Sequence, residues 1–295
     1  MEKATEDLLL QLRTLGDAVR MRLVALCGQG ECSVSELAKI AGLSQPRTSQ
    51  HLKQLCDAGL LTRFRDGKRV YYSLPQRQGG SARQLLALIP QDDESFRRDR
   101  LRLRQMRGAL VSGDEAELPE EVVDRAIHRA ILELTVTAPI GDLLDVGCGR
   151  GSMLKLLAGR AHRVVGVDID ADTRQLARAE LMLAGLPNCV LRQGDMYQLP
   201  FSDAEFDTII LDDVLGSAAR PVAVLREAAR LLRANGRLFI LMALAADPGD
   251  ELRRKIAGWG ASAGLRLSPA RVVPRRNPQW LLSVATLSQS RDAAA

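Results

Sequence analysis

Apolar residues recur at helical spacing from near the start of the chain: Leu8, Leu9, Leu12, Leu15, Val19, Leu23, Val24 and Leu26. Intervals of three and four place them on one helical stripe. Gly16-Asp17 interrupts the stripe, so the pattern predicts two helices meeting there, the second stopped by Gly28-Gln29-Gly30. Ser33 and Glu36 stand in the S-x-x-E order of a capping box, which predicts a short helix ended by Gly42. A further helix is expected from about Gln45 to Ala58, capped by Ser44, with Pro46 tolerated in its first turn. Leu52, Leu55 and Cys56 would face inward. Gln45, Arg47, Thr48, Ser49, Gln50, His51 and Lys53 would form the opposite, polar face. Leu61–Arg65 and Lys68–Leu74 read as two strands around an Asp66-Gly67 turn.

Two short helices, the second polar, read as a helix–turn–helix whose second helix enters a major groove. Arg and Gln can each bind base edges in pairs there, and Ser or Thr can hold phosphates. Arg63, Arg65, Lys68 and Arg69 make the following hairpin a basic wing, suited to phosphates or the minor groove. The expected partner is therefore double-stranded DNA.

Beyond a Gly- and Gln-containing break at Gln76–Ser81, a short helix is expected over Ala82–Ile89 and a longer one from Asp92 or Asp93. Phe96, Leu103, Met106 and Leu110 form one stripe of the longer helix. Arg97, Arg98, Arg100, Arg102, Arg104 and Arg107 crowd its other face, either as a solvated surface or as phosphate contacts. Val111–Glu120 is acidic and polar and reads as an interdomain boundary, and a helix is expected from Pro119 to about Leu134. From Gly141 short apolar runs alternate with helices. Strands are expected near 142–146, 163–168, 189–194, 206–212, 237–244, 265–273 and 279–287. Helices are expected near 151–160, 171–185, 220–234 and 249–263. Seven strands with intervening helices predict a doubly wound sheet. The organisation expected is residues 1–110 as one domain, 111–140 as linker and lead-in helix, and 141–295 as a second domain.

The first strand of the second domain ends in Asp145-Val146-Gly147-Cys148-Gly149-Arg150-Gly151. Glycines after a buried strand let the backbone approach a ligand closely. The second strand ends in Asp168, an acid placed to accept both hydroxyls of a ribose.

Charge sharpens this division. Residues 1–110 carry 19 Lys and Arg against 12 Asp and Glu, whereas 111–245 carry 14 against 20. Only the first has the balance of a nucleic-acid binder. Aromatics are 3% of a chain that is 46% hydrophobic, so the cores are aliphatic. Five scattered cysteines without a C-x-x-C, and three histidines, argue against a structural zinc site or a disulfide framework. No metal site is expected. Apolar runs fall far short of the roughly 18 residues that a membrane span needs, and Met1–Leu10 does not read as a signal peptide. A cytoplasmic protein is expected, with no membrane partner.

The stretches T-L-G-D-A-V-R-M-R-L-V, S-E-L-A-K-I-A-G-L-S-Q-P-R-T-S-Q-H-L-K-Q-L-C-D-A-G-L-L and D-G-K-R-V-Y-Y-S-L resemble the ArsR family of dimeric winged-helix regulators over residues 14–74. The resemblance implies a homodimer in which the helices of residues 92–110 pack across a two-fold axis with residues 5–15, spacing two recognition helices about one DNA turn apart. One arsenic site of that family uses an E-L-C-V-C-D-L pattern. Here Ser33 and Ser35 occupy both cysteine positions and Cys32 sits one place off.

The D-x-G-x-G-x-G spacing resembles S-adenosylmethionine-dependent methyltransferases over roughly 141–245. By that resemblance Asp145, Gly147, Cys148, Gly149 and Gly151 line the methionine part of the ligand. Asp168 binds the ribose, Ile169 packs on adenine, Asp195 and Met196 lie near the adenine amino group, and Asp212 lies beside the sulfur. The fold class expected is thus an α+β winged helix–turn–helix followed by an α/β Rossmann-like, seven-stranded methyltransferase domain. The cofactor expected is S-adenosylmethionine or S-adenosylhomocysteine.

No residue with clear acceptor chemistry is evident, so no catalytic residue is assigned. Cys148 and Cys189 belong to buried elements, His162 precedes the second strand, and Asp213–Pro221 is too short for a lid. His128, on the helix before the domain, is the one histidine placed to reach the ligand site, unless it is solvated or a cap. SahR-like fusions respond to S-adenosylhomocysteine. They carry an aromatic- and Asn-containing stretch before the first strand and a longer segment after the fifth; 111–140 and Met242–Gly264 supply neither. The expectation is a regulator whose second domain senses the adenosyl ligand. The alternatives are an active small-molecule methyltransferase carrying its own DNA-binding domain and, more weakly, a metalloid-responsive regulator.

Overall fold

The computed structural model describes residues 3–75, 81–90, 92–112, 121–136, 138–244, 250–274 and 279–288. In chain order the first elements are α1 (Lys3–Leu15), α2 (Ala18–Cys27), β1 (Cys32–Ser33), α3 (Val34–Ala41) and α4 (Gln45–Asp57). There follow β2 (Thr62–Asp66), β3 (Arg69–Ser73), α5 (Ser81–Ala87), α6 (Glu94–Ser112) and α7 (Glu121–Val136). Next come β4 (Asp142–Val146), α8 (Ser152–Leu157, continued by a 3₁₀ turn Ala158–Arg160), β5 (Arg163–Asp168), α9 (Ala171–Leu183) and β6 (Cys189–Gln193). The last are β7 (Phe206–Asp212), α10 (Val214–Ser217), α11 (Pro221–Leu231), β8 (Leu232–Ala243), α12 (Asp250–Ser262), β9 (Leu265–Leu267), β10 (Arg271–Val273) and β11 (Trp280–Leu287).

The residues pack as two compact units, Met1–Glu115 with Ala171–Val190, and Ala116–Asp170 with Leu191–Ala295. The division does not follow chain order: α9, which the sequence places inside the second domain, packs in the first unit. The linker expected at 111–120 falls largely outside the described residues.

In the first unit Leu23, Val24, Leu26, Leu37, Ile40, Leu52, Leu55, Leu60 and Leu103 form the core, with Met182 of α9 packed among them. Burying each such side chain is worth about 1.5–3 kcal/mol. The capping box forms as expected: the Ser33 hydroxyl accepts from the Glu36 amide, and the Glu36 carboxylate accepts from the Ser33 amide at 2.8 Å. Gly42 closes α3 in the left-handed conformation, φ 71°. Ser44 occupies the cap position of α4 without a side-chain bond, a correction to the expected cap. The hairpin turn is Gly67-Lys68, one residue later than expected, because Asp66 stays in β2 paired with Arg69. A third strand, the two-residue β1, pairs with β3 and is too short to leave a periodic sequence signal.

The second unit is built on one sheet of order β10-β11-β8-β7-β4-β5-β6, with β9 also paired to β11. β5, β4, β7 and β8 run parallel, and β11 lies antiparallel to β8. The strands are near-continuous apolar runs such as Ile209–Leu211 and Leu238–Leu241, as burial on both faces requires. Among the described residues the sheet has eight strands rather than seven. The run expected over 265–273 is broken at Ser268–Ala270, where Pro269 lacks the amide that a ladder needs, and both halves pair with β11.

Candidate functional site

β4 is flanked by β5 on one side and β7 on the other, so the chain reverses direction across the sheet there. Such a switch point leaves a crevice at the carboxyl ends of the strands. A cavity of about 320 Å³ opens at that place, lined from the ends of four strands by Val146-Gly147, Val167–Ile169, Gly194–Met196, and Asp212–Val214 with Ser217. Six of the expected ligand residues are therefore brought together: Gly147, Asp168, Ile169, Asp195, Met196 and Asp212. Gly147 must be glycine. Its φ is 70°, and a Cβ there would lie 2.7 Å from Cγ2 of Val214.

Asp168 is oriented by the glycine turn and its own chain: its carboxylate accepts from the Gly149 amide at 3.0 Å and from the Asp170 amide at 2.9 Å. Ile169 is 67% exposed beside the cavity, an apolar surface open to a flat ring. Asp145 lies buried below the glycine turn, and its Oδ1 has no hydrogen-bond partner. Burial, then the neighbouring carboxylates of Asp212 and Asp168, hold the Asp145 carboxyl well above the usual carboxylate range. A cationic group entering the cavity would relieve that cost.

Cys148, Gly149 and Gly151 do not line the cavity. The Cys148 thiol turns inward toward Gly166 of β5, and Gly151 starts α8 with φ 81°. Asp213, Val214 and Ser217 do line it. Asp213 sits in the left-handed region at φ 54°, and its carboxylate accepts from the Ala243 amide at 3.1 Å. Val214 and Ser217 carry no sequence signal, because a one-turn helix after a strand end is invisible to periodicity. Cys189 is buried, which pushes its thiol up to about 12.

The polar face of α4 exposes Gln45, Arg47, Ser49, Gln50 and Lys53, and His51 is half-buried. Thr48 corrects the sequence reading: it is fully buried and its hydroxyl donates to the Ser44 carbonyl at 3.0 Å. Its side chain is therefore not part of the exposed polar face. In the wing Arg63, Arg65, Lys68 and Arg69 are exposed, with Arg69 hydrogen-bonded to Gln175 of α9. The arginine face of α6 also needs correction. Arg107 is buried, donating from Nε to Glu36 at 3.0 Å and from Nη1 to the Arg178 carbonyl at 3.2 Å. Leu110, expected in the apolar stripe, is instead exposed.

Arg107 belongs to a network that leaves no signal in the sequence. Arg174 of α9 pairs with Asp66 at the end of β2, and Arg178 pairs with Asp66 at 2.5 Å and with Glu31 at 2.9 Å. The Arg178 guanidinium stacks over the Tyr71 ring at 4.1 Å. Guanidiniums of Arg107, Arg174 and Arg178 thus balance carboxylates of Glu31, Glu36 and Asp66. Burial pushes the Asp66 carboxyl up, but Arg174 and Arg178 more than reverse this and hold it below its ordinary value. No periodic pattern marks residues so distant in sequence.

Among the described residues no group of three or more His, Cys, Asp or Glu is placed to hold a metal ion. Nor is any described helix long and apolar enough to cross a membrane.

The strand order and the acids at the strand ends define a doubly wound domain of the kind that takes nucleotide-type ligands. Residues 144–240 match the family model "Methyltransferase domain", and residues 19–63 match "Bacterial regulatory protein, arsR family". The chain therefore joins an ArsR-family helix–turn–helix to a methyltransferase domain. It is 30% identical over 164 residues to an uncharacterized 37.1 kDa protein in transposon TN4556 of Streptomyces fradiae, covering 51% of this chain and 46% of that one. It is 42% identical over 62 residues to a probable mercury resistance operon repressor of Streptomyces lividans, covering 21% of this chain and 50% of that one. The chain spans about half the length of these curated relatives. A methyltransferase structure from Clostridium acetobutylicum superposes with a TM-score of 0.50 at 13% identity, over 57% of this chain and 93% of that chain, which is a likeness of fold alone.

Proposed function

We propose that this chain is a cytoplasmic transcriptional repressor or activator that binds double-stranded operator DNA as a homodimer, and that its methyltransferase-like domain senses S-adenosylhomocysteine or S-adenosylmethionine. One observation carries the reading: the helix that follows the ligand-facing Asp168 is the helix that grips the wing. α9 starts at Ala171, and its Arg174 and Arg178 hold Asp66, next to the turn that carries Lys68. A displacement of Asp168 and Ile169 on ligand binding enters α9 directly through the chain. Ligand shifts the DNA equilibrium only through different affinity for the two states, and α9, which follows Asp168 in the chain and holds Asp66, is the element on which that difference would act.

The cleft fits the ligand class. Asp168 would hold the ribose hydroxyls, Ile169 the adenine, and Asp195 with Met196 the adenine edge. Gly147 and Asp212 would border the methionine part, with Asp145 beneath. The unpartnered oxygen of Asp145 and the carboxylates around it suit a ligand bearing an ammonium group. Gln45, Arg47, Ser49, Gln50 and Lys53 would read DNA, with Arg63, Arg65, Lys68 and Arg69 on phosphates. Exposed Leu8, Leu10 and Leu12 on α1 and Leu101 on α6 supply the apolar surface for a two-fold partner.

S-adenosylmethionine also supplies a transferable methyl group when bound, and several relatives bear methyltransferase names, among them the nocamycin O-methyltransferase of Saccharothrix syringae. An active enzyme is thus the rival reading. The metal-responsive reading draws on the repressor relative and on Cys27, whose thiol is hydrogen-bonded to Cys32 and buried, and so held well above its ordinary value. Calorimetry with both adenosyl ligands, together with operator binding in their presence, tests the proposal. It fails if neither ligand binds, or if binding leaves operator affinity unchanged. Turnover of an acceptor favours the enzyme, and release of operator by mercuric ion or arsenite alone favours the metal reading.

A further inference from the structure

We infer that the first unit holds a second small-molecule site, for an organic anion with an apolar body. A cavity of about 650 Å³ lies there, among α3, β3, α6 and α9. Its size falls within the roughly 300–1,000 Å³ range of ligand pockets. Its wall is largely apolar, from Met106, Leu110 and Ala179, with Tyr71 contributing an aromatic ring.

The charges decide the ligand. Arg107 and Arg178 line the cavity but are neutralised by Glu36, Glu31 and Asp66. Lys39 and Arg69 also line it. Both are exposed, and among the described residues neither has a carboxylate partner. Arg69 is instead hydrogen-bonded to Gln175, whose amide is neutral. Two uncompensated cations at an apolar cavity select an anionic head on a hydrophobic body. They do not favour a cation or an uncharged lipophile.

The position gives such a ligand a consequence. Lys39 stands on the helix that precedes the recognition helix, and Arg69 stands on the wing. An anion held by Arg69 withdraws from DNA a cation that the wing would otherwise offer to phosphate. Binding of the two is then antagonistic and, by linkage, equally so in both directions.

Fluorescence titration of the full chain with 8-anilinonaphthalene-1-sulfonate, an aromatic sulfonate, tests this. A saturating concentration of S-adenosylhomocysteine is present throughout, and the uncharged N-phenyl-1-naphthylamine serves as comparison. Saturable one-site binding of the sulfonate is expected, weakened roughly tenfold or more by Lys39→Glu, where a like charge meets the sulfonate. Ala109→Trp, an exposed position on the cavity lining, should abolish it by filling the space. Operator DNA should weaken sulfonate binding by the factor by which the sulfonate weakens DNA binding. The inference is overturned by an absence of saturable binding, by binding that survives both substitutions, or by equal affinity for the uncharged analogue.

Discussion

Arg174 donates from Nε to both carboxylate oxygens of Asp66 at 3.1 Å, and the pair is closed to solvent, with Arg174 0% and Asp66 6% exposed. The two residues lie 108 positions apart, one on the helix after the glycine-turn strands and one at the tip of the wing. Two buried charges repay their desolvation only when geometry and further bonds are good. Here the second guanidinium, of Arg178, completes the carboxylate's coordination. The pair is a weak source of net stability but a strong constraint on where the wing can be.

Removing one partner leaves the other buried and uncompensated. Arg174→Ala is expected to cost about 3–5 kcal/mol in denaturant unfolding. The milder Asp66→Asn should keep adenosyl-ligand affinity within roughly twofold, while shrinking the ligand's effect on operator affinity. Calorimetry and operator titration on the same preparation check this; an unchanged ligand effect on DNA would show that the signal does not pass through Asp66.

The Asp66 carboxyl is held below its ordinary value, so its contribution to stability is present above the unfolded carboxylate range and is lost as pH falls through the folded value. Wild-type stability should therefore drop below about pH 4. Asp66→Asn should flatten that limb, as read from urea midpoints across the acid range.

Asp145 has the opposite shift. It stays protonated to higher pH than an ordinary carboxyl, and a cationic ligand nearby favours its ionised form. Ligand binding should release a proton, and affinity should rise with pH until Asp145 is ionised in the free protein. The rise should be steeper for S-adenosylmethionine, whose sulfonium adds a charge, than for S-adenosylhomocysteine. Calorimetry in buffers of different ionisation enthalpy measures the proton; equal slopes for the two ligands would place the sulfur away from Asp145.

Ile169 is two-thirds exposed, so little folding energy depends on it. Ile169→Ala should leave the unfolding midpoint nearly unchanged and weaken the adenosyl ligand by roughly fivefold to tenfold, the scale of one lost apolar contact. An unaltered dissociation constant would remove Ile169 from the site.

On the recognition helix, neighbouring positions should separate. Arg47→Ala should weaken specific operator binding roughly tenfold to a hundredfold without touching ligand binding. Thr48→Ala should act through stability, since Thr48 is buried against Ser44. A gel-shift series paired with thermal melts distinguishes the two effects.

Local pattern carried much of this protein. The capping box at Ser33 and Glu36, the turn at Gly42 and the strands ending at Val146, Asp168 and Asp212 are set by residues within a few positions of one another, and all stand as read. The six cavity-lining residues were legible for the same reason: strand ends and a glycine turn converge wherever a doubly wound sheet forms. What tertiary packing decided lies where periodicity was a poor guide. Thr48 and Arg107 looked solvent-facing because polar side chains usually are, yet each is buried with a partner that only the fold supplies. Pro269 divided one expected strand into two because it has no amide hydrogen to give to the ladder. The placing of α9 against the wing rests on Arg174 and Arg178 meeting Asp66 and Glu31 across more than a hundred residues. The chain determines by itself that it carries a helix–turn–helix with a polar second helix and a glycine-turn cleft. That the helix leaving Asp168 grips the wing was decided by tertiary structure, because a buried ion pair depends on where charges come to lie in space and not on their order along the chain.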